Sequence, residues 1–290
     1  VLVLGSRLDF GTIGADVAAF ARDRTIVQVD CDAGEMHRVR AVTPVVADLG
    51  TFLPVAADRA RERAWPAWGD WRAHLEELRE RWPDTEELEP CEGINPNRLL
   101  RQLAAASPEA AAFVIDAGQH LWWACQSIQP GPGQRFMPAL GLGPCGFALP
   151  AAVGVAVASR RPLVVVAGDG AFQLNIQELQ TVVRNRLPMK IVIVDNGCHG
   201  SVRQLQESAF AERYPTTVWG YDAPDFERVA AAYGIDSATI EGPGEVEQAL
   251  EWLWRDPLAP ALLQVRIPLE LNVYPNVPFG APLTMMERKA

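Results

Sequence analysis

The chain has 290 residues, 49% of them hydrophobic and 21% charged, with a formal net charge of −10. That length exceeds one usual domain of about 100 to 200 residues, and the composition excludes wholesale disorder. The acidic balance argues against nucleic acid or an anionic membrane as main partner, since both need a basic face.

In chain order, Val1 to Leu4 reads as a buried strand, Asp16 to Arg22 as a helix, and Thr25 to Val29 as a strand that runs into Asp30-Cys31-Asp32. This is a βαβ unit with acidic residues just past a strand end, as in a nucleotide-binding half-sheet, although the GxGxxG spacing is missing between Gly5 and Gly14. Arg59 to Trp82 is rich in Arg, Glu and Trp and reads as one or two helices, with Trp65, Trp68 and Trp71 as helix-packing surface. The acidic, proline-punctuated stretch from Pro83 to Pro96 marks a boundary. The expected organisation is therefore a Rossmann-like half-domain over 1–60, a helical segment and linker over 61–96, and a second domain over 97–290.

From Asn97 the elements alternate regularly. Leu99 to Ala106 reads as a helix, Ala112 to Asp116 as a strand, Trp122 to Ser127 as a short helix and Gln129 to Gly133 as an irregular turn. A glycine-punctuated loop from Gly141 to Gly146 leads into a small-residue helix, Phe147 to Ser159, whose Pro150 is tolerable in a first turn. Leu163 to Ala167 reads as a buried strand, Asn175 to Asn185 as a helix and Lys190 to Val194 as the next buried strand. Continuous apolar strands alternating with helices predict an α/β fold: a parallel sheet with helices on both faces.

No apolar run reaches the roughly 18 residues of a membrane span, and the short stretch ahead of Gly5 is too brief for a signal peptide. Cys31, Cys91, Cys125, Cys145 and Cys198 form no CxxC pair, and His37, His74, His120 and His199 form no HExxH, so a zinc site is not expected. A soluble, cytoplasmic protein with free thiols is expected. Because the chain opens on Val rather than Met, inside a strand, we expect a segment ahead of it to have been removed or processed.

The sharpest local feature is Gly168-Asp169-Gly170 after one strand and Asp195-Asn196-Gly197 after the next. The stretch between them has the length of a right-handed crossover, which places both strand ends on one edge of the sheet, where open α/β sheets bind ligands. A carboxylate, an amide oxygen and a nearby backbone carbonyl are hard donors suited to Mg²⁺, which takes the rest of its shell from phosphates and water. Gly168 and Gly170 allow a phosphate close to the backbone, and the helix expected near Asn175 would face it with its N-terminus. The residues alone therefore allow a magnesium-diphosphate site, or ordinary Asp-Gly and Asn-Gly turns.

Gly168-Asp169-Gly170 followed about two dozen residues later by Asn196 resembles the signature of thiamine diphosphate (ThDP) enzymes, most closely the acetolactate synthase-like branch. Gly118-Gln119-His120 with Trp123-Ala-Cys-Gln126, Gly141 to Ala152, Asn175 to Leu179 and the tail Tyr274 to Gly280 look like that family's segments in the right order. The resemblance implies a ThDP-binding fold with a six-stranded type of parallel sheet, preceded by the second half of a central domain. It implies Mg²⁺ held by Asp169, Asn196 and the backbone carbonyl of Cys198, and a diphosphate held by Gln119 and His120 with Gly168, Gly170, Ala171, His199 and the Gly200 turn. Gly143 and Cys145 then fall in the loop that holds the aminopyrimidine ring.

The implied activity is decarboxylation of a 2-ketoacid such as pyruvate, with transfer of the acyl-anion equivalent to an acceptor carbonyl. Simple decarboxylation or oxidation, or a non-catalytic scaffold, are the alternatives. No catalytic residue is certain in this chain; His199 and Arg203 are within reach of a substrate carboxylate or carbonyl, with a structural role for each as the equal alternative, and Glu178 is expected to be structural. Cys145 is smaller than the Met, Leu or Ile usual at its place, Asp195 replaces a common Asn, and Ser201 to Gln206 lacks the Met and Trp of true acetolactate synthases. The latter pattern and the tail to Glu287 look more like relatives from specialised or sugar biosynthesis. The family's pyrimidine domain has no counterpart here, so a separate pyrimidine-binding chain or a missing N-terminal half is expected to complete the site, with oligomerisation as a consequence. FAD is left open: Arg7 and Asp30 lie where FAD-using relatives make contacts.

Overall fold

The computed structural model describes residues 1–37, 39, 42–278, 280–282 and 285–288. Phe279, Leu283 and Thr284 of the tail motif lie outside the described residues. The chain divides into two compact units, Val1–Trp82 with Tyr274–Ala290, and Pro83–Val273.

In the first unit, β1 (Leu2–Leu4), α1 (Phe10–Ile13), α2 (Val17–Ala21), β2 (Ile26–Asp30) and β3 (Val42–Val46) are followed by α3 (Leu49–Arg61) and α4 (Gly69–Arg81). The three strands pair in parallel in the order β1-β2-β3. Val3, Leu8, Ile13, Ile26 and Val39 form its small core. β1 is not the buried strand expected: it lies at the sheet edge, where Leu2 is 56% and Leu4 37% exposed. β3 has no counterpart in the sequence reading, and its Pro44 suits the other edge, where an N–H is not needed for a further ladder. The first long helix begins at Leu49, well ahead of the Arg59 expected, because Asp48 caps it by accepting from Gly50 N at 2.8 Å. Neither α3 nor α4 buries a residue, and Trp65, Trp68 and Trp71 are more than half exposed rather than packed between helices. Arg7 is exposed, and Asp30 is buried at the end of β2, where its Oδ1 accepts from Asp32 N.

The second unit holds α5 (Pro96–Ala105), β4 (Ala112–Ile115), α6 (Gln119–Ser127), β5 (Arg135–Pro138), α7 (Ala148–Ser159), β6 (Leu163–Gly168), α8 (Asp169–Phe172), α9 (Leu179–Arg184), β7 (Met189–Asp195), α10 (Gly200–Ala209), α11 (Phe226–Ala232), β8 (Asp236–Ile240), α12 (Val246–Leu253) and β9 (Ala261–Arg266). Six strands pair in parallel in the order β5-β4-β6-β7-β9-β8, the α/β sheet expected. Every residue of β4 and β6 is buried, and all of β7 but Asp195, as apolar runs interrupted only by Lys190 require of strands covered on both faces.

The chain leaves β4 toward β5 on one side and then returns to β6 on the other, so the order reverses between β4 and β6. A crevice opens at such a switch point, outside the carboxyl ends of the strands. The helix expected from Asn175 to Asn185 is instead broken: helical turns start at Asp169, Asn175 departs from helical geometry at φ −133°, and α9 resumes at Leu179. The cause is the Asn175 amide, which donates to the Gly146 carbonyl at 2.7 Å and holds the glycine loop instead of facing a ligand.

Phe172 and Phe226 meet edge to face in the core beneath this crevice, ring centroids 5.6 Å apart at 82°, both essentially buried. Phe226→Ala removes a full aromatic ring and leaves a cavity, so urea denaturation is expected to show a loss of about 3–5 kcal/mol. A loss below about 1 kcal/mol would mean that this contact does not hold the core.

Candidate functional site

Three adjacent strands bring the chemistry together. After β4 the chain reaches Gln119 and His120 at the start of α6, after β6 it reaches Asp169 and Gly170, and after β7 it reaches Asn196, Cys198 and the start of α10. A cavity of about 230 Å³ lies at this edge. Its wall contains all of the residues expected to bind a cofactor: Gln119, His120, Gly143, Cys145, Gly168, Asp169, Gly170, Ala171, Asn196, Cys198, His199 and Gly200. Gln119 and His120 open α6, and Gly200, Ser201 and Val202 open α10, so two helices of nine and ten residues present their N-termini to one cavity. Unpaired N–H groups and the positive ends of both macrodipoles make that wall favourable to an anion.

The side chains hold one another in place. Gln119 Oε1 accepts from Asn196 Nδ2 at 3.0 Å, and Gln119 Nε2 donates to Gln204 Oε1 and to the Leu271 carbonyl, each at 3.1 Å. With its nitrogen turned to Gln119, the Asn196 amide keeps its oxygen as the end not spent on that bond. This network requires glycine at 200: a Cβ there would lie 1.9 Å from Gln119 Oε1 and 2.5 Å from Asn196 Nδ2.

Asp116, at the end of β4, is almost fully buried and its carboxylate accepts from the backbone N–H groups of Ala117 at 2.8 Å, Gly146 at 2.8 Å and Ala148 at 2.7 Å. Burial raises its carboxyl above the ordinary value, and the backbone donors oppose that rise. It ties the loop carrying Gly143 and Cys145, and the first turn of α7, to the sheet. Although Cys145 is exposed, partial desolvation in this loop raises its thiol, with the Asp116 charge adding to the effect, so the sulfur is a neutral thiol.

Asp169 is only 2% exposed, and burial pushes its carboxyl up to about 7, against the opposing effect of a 2.7 Å bond donated by the Tyr221 hydroxyl. Burial pushes His120 down to about 4, so the imidazole is neutral, and its Nε2 has no partner. The indole Nε1 of Trp123, another wall residue, is also buried without one. These features fit a bound anion and cation: a phosphate oxygen would satisfy His120, and a divalent ion would supply the countercharge that Asp169 lacks. Among the described residues no three His, Cys, Asp or Glu side chains gather as a metal cage, so any cation here takes amide, carbonyl and ligand oxygens beside the one carboxylate, the donor set suited to Mg²⁺.

Residues 116–265 match the family model for the thiamine pyrophosphate enzyme, C-terminal TPP binding domain. The chain belongs to this family. It is 37% identical over 293 residues to the acetolactate synthase isozyme 2 large subunit of Escherichia coli K12, covering 100% of this chain and 51% of that one. It is 34% identical to the acetolactate synthase large subunit of Parasynechococcus marenigrum WH8102, covering 97% of this chain and 45% of the relative. Among solved structures it resembles the thiamine diphosphate-dependent 4-hydroxybenzoylformate decarboxylase of Rhodococcus jostii RHA1, with a TM-score of 0.65 and 26% identity, over 85% of this chain and 44% of that one. The chain thus spans about half the length of the curated relatives it matches.

Within this TPP-binding domain, His199 lines the cavity and Arg203 does not. Arg203 is buried within α10, pairing with Glu207 at 2.7 Å and donating to the Leu271 carbonyl and Asn272 Oδ1, so both of its terminal nitrogens are engaged within the fold. Glu178 accepts from the Thr181 hydroxyl at 2.8 Å and lies outside the cavity wall. Asp116, Trp123 as a wall residue, and Tyr221 are additions that spacing did not reveal; Asp116 alone had a signal, an acid directly after a buried strand.

The metal-free domain carries a measurable conflict at Asp169. Between about pH 4 and 7 its carboxyl holds a proton in the fold that the unfolded chain, at an ordinary value of 3.8, has released. Stability without metal therefore falls as pH rises through that window and stays low above it. Asp169→Asn removes the buried charge yet keeps an acceptor for Tyr221. Urea unfolding in EDTA should find the variant more stable than the parent at pH 8 by roughly 1–4 kcal/mol, with the difference vanishing toward pH 4. An unchanged or lower midpoint at pH 8 would contradict this.

Proposed function

We propose that this chain is the diphosphate-binding part of an acetolactate synthase-like carboligase that uses ThDP and Mg²⁺. The observation that carries the reading is the single cavity where Asp169, Asn196 and Cys198 lie beside Gln119, His120 and two helix N-termini, inside the segment that matches the TPP-binding model. In this reading Asp169, the Asn196 amide oxygen and the Cys198 carbonyl hold the metal. Gln119, His120, Gly168, Gly170, Ala171, His199 and Gly200 receive the diphosphate, and Gly143 and Cys145 hold the pyrimidine end. When bound, ThDP supplies the electron sink for carbanion chemistry at a 2-ketoacid such as pyruvate. The protein's share is to fix the cofactor's charged end at the strand edge, which preorganises the opposite end toward substrate. His199 is the one candidate of the two expected that can face a substrate; Arg203 serves to brace α10.

The corresponding division of the chain is half of a central domain over 1–60, a helical segment over 61–96 and the diphosphate-binding domain from 97. The chain covers 51% of the relative from E. coli, which supports a site completed by a pyrimidine-binding partner chain or by an N-terminal half. Five free thiols support a reducing, cytoplasmic setting, and no helix of the described residues is long and apolar enough to cross a membrane. Simple decarboxylation is the second reading, favoured by the likeness to a decarboxylase structure.

Calorimetry with ThDP in the presence of a pyrimidine-domain partner tests the proposal. Binding is expected in Mg²⁺ and is expected to vanish in EDTA, and Asp169→Ala should weaken it by roughly 30-fold or more, as for a buried charged contact that loses one partner. Absence of binding, or binding indifferent to Asp169→Ala, would leave a scaffold role instead.

A further inference from the structure

Tyr221 comes from the irregular connection between α10 and α11, far in sequence from the strand ends that build the cavity. Its hydroxyl nevertheless donates to Asp169 Oδ2 at 2.7 Å, and its ring meets the His199 ring edge to face, centroids 4.8 Å apart at 79°. His199 directly follows Cys198 and is held by its own N–H, which donates to the Thr217 carbonyl at 3.0 Å, from the same connection as Tyr221. One residue therefore touches both sides of the proposed metal loop, the carboxylate after β6 and the turn after β7. The fit is tight: a Cβ at Gly170 would stand 3.0 Å from the Tyr221 hydroxyl and 2.7 Å from His199 Cε1. Glycine is thus required at 170 by this pair of rings, before any phosphate is considered.

A carboxylate that ligates a metal through one oxygen is free to rotate and to chelate through both unless its second oxygen is engaged elsewhere. A hydrogen bond from a rigid donor removes that freedom, and such outer partners typically govern metal affinity by about 10- to 100-fold. A phenol suits this better than a longer side chain, because the edge-to-face contact with His199 fixes the ring that carries its O–H.

We infer that Tyr221 is a positioning residue for the metal: it occupies Asp169 Oδ2, leaves the other oxygen to the cation, and locks the two halves of the metal loop together through His199. This rests on the proposed Mg²⁺-ThDP reading and adds to it a residue outside the strand-end motifs.

The test is titration of the full chain with Mn²⁺ in the presence of ThDP, followed by the electron paramagnetic resonance signal of free Mn²⁺. Tyr221→Phe removes only the hydroxyl. We expect its Mn²⁺ affinity to fall about 10- to 100-fold, while its metal-free melting temperature stays within about 3 °C of the parent, the small change expected where surrounding packing is kept. A purely structural tyrosine would give the reverse, a lowered melting temperature with unchanged affinity, and that result overturns the inference. Asp169→Ala run alongside separates the two levels. If the parent binds Mn²⁺ through Asp169 and Tyr221→Phe binds equally well, only this inference fails; if the parent shows no Asp169-dependent binding, the proposed function fails and this inference with it.

Discussion

Parallel pairing of β4, β6 and β7 is the constraint on which the rest of the site depends. Parallel neighbours end on the same edge, so the residues that follow each strand meet without any long-range contact having to be evolved separately. Register reinforces this: Gly168 stands opposite Val194, so the chain leaves β6 and β7 at nearly the same height. The reversal of strand order beside β4 then opens the space into which Gln119 and His120 turn.

What fills that space is a set of groups poorly served by the protein alone. A buried carboxylate without a cation, an imidazole nitrogen without a partner and an unpartnered indole N–H all cost stability in the fold. They sit together on one wall, beside a Gln119–Asn196 network that leaves only the Asn196 oxygen unspent. His120, Trp123 and Ser201, each with a buried polar side-chain atom that has no partner, all stand on the wall of this one cavity, which marks it as a binding surface. The glycines contribute by allowing approach: at 170 and 200 the volume of a side chain is already taken by neighbouring functional groups.

The sequence was most readable where burial is two-sided. The β-branched Val and Ile runs of β6 and β7, bounded by glycine, favour buried strands at that length, and Asp169 and Asn196 directly follow them. It was least readable at edges and kinks. β5 is an edge strand of four residues, too short to show a period, and β1 carries an apolar pattern yet lies exposed at an edge. The helix through Asn175 has good local propensity and is broken by a tertiary bond to Gly146 that no local rule encodes. Arg203 looked available from its place in the chain, and only the fold shows Glu207 and Asn272 closing around it. Tyr221 had no signal at all, since its partner is remote and its own segment is irregular. The elements from α11 to β9 follow the same alternation but carry no motif: β9 pairs with β7, and β8 pairs with β9 outside it.

The Asn175 bond has one more consequence. Together, Asp116 on one side and Asn175 on the other fasten both the N–H and the carbonyl of Gly146, and its φ of 83° places it where a side chain would be strained. The loop is therefore divided into a fixed root at 146–148 and a tip around Leu140 to Gly143, where Leu142 is almost wholly exposed. A root that belongs to the scaffold and a tip that does not allow the two to diverge at different rates. The tip can be retuned for a new occupant or a new neighbouring surface by substitution alone, with the strand ends, and the charges they carry, left where they are.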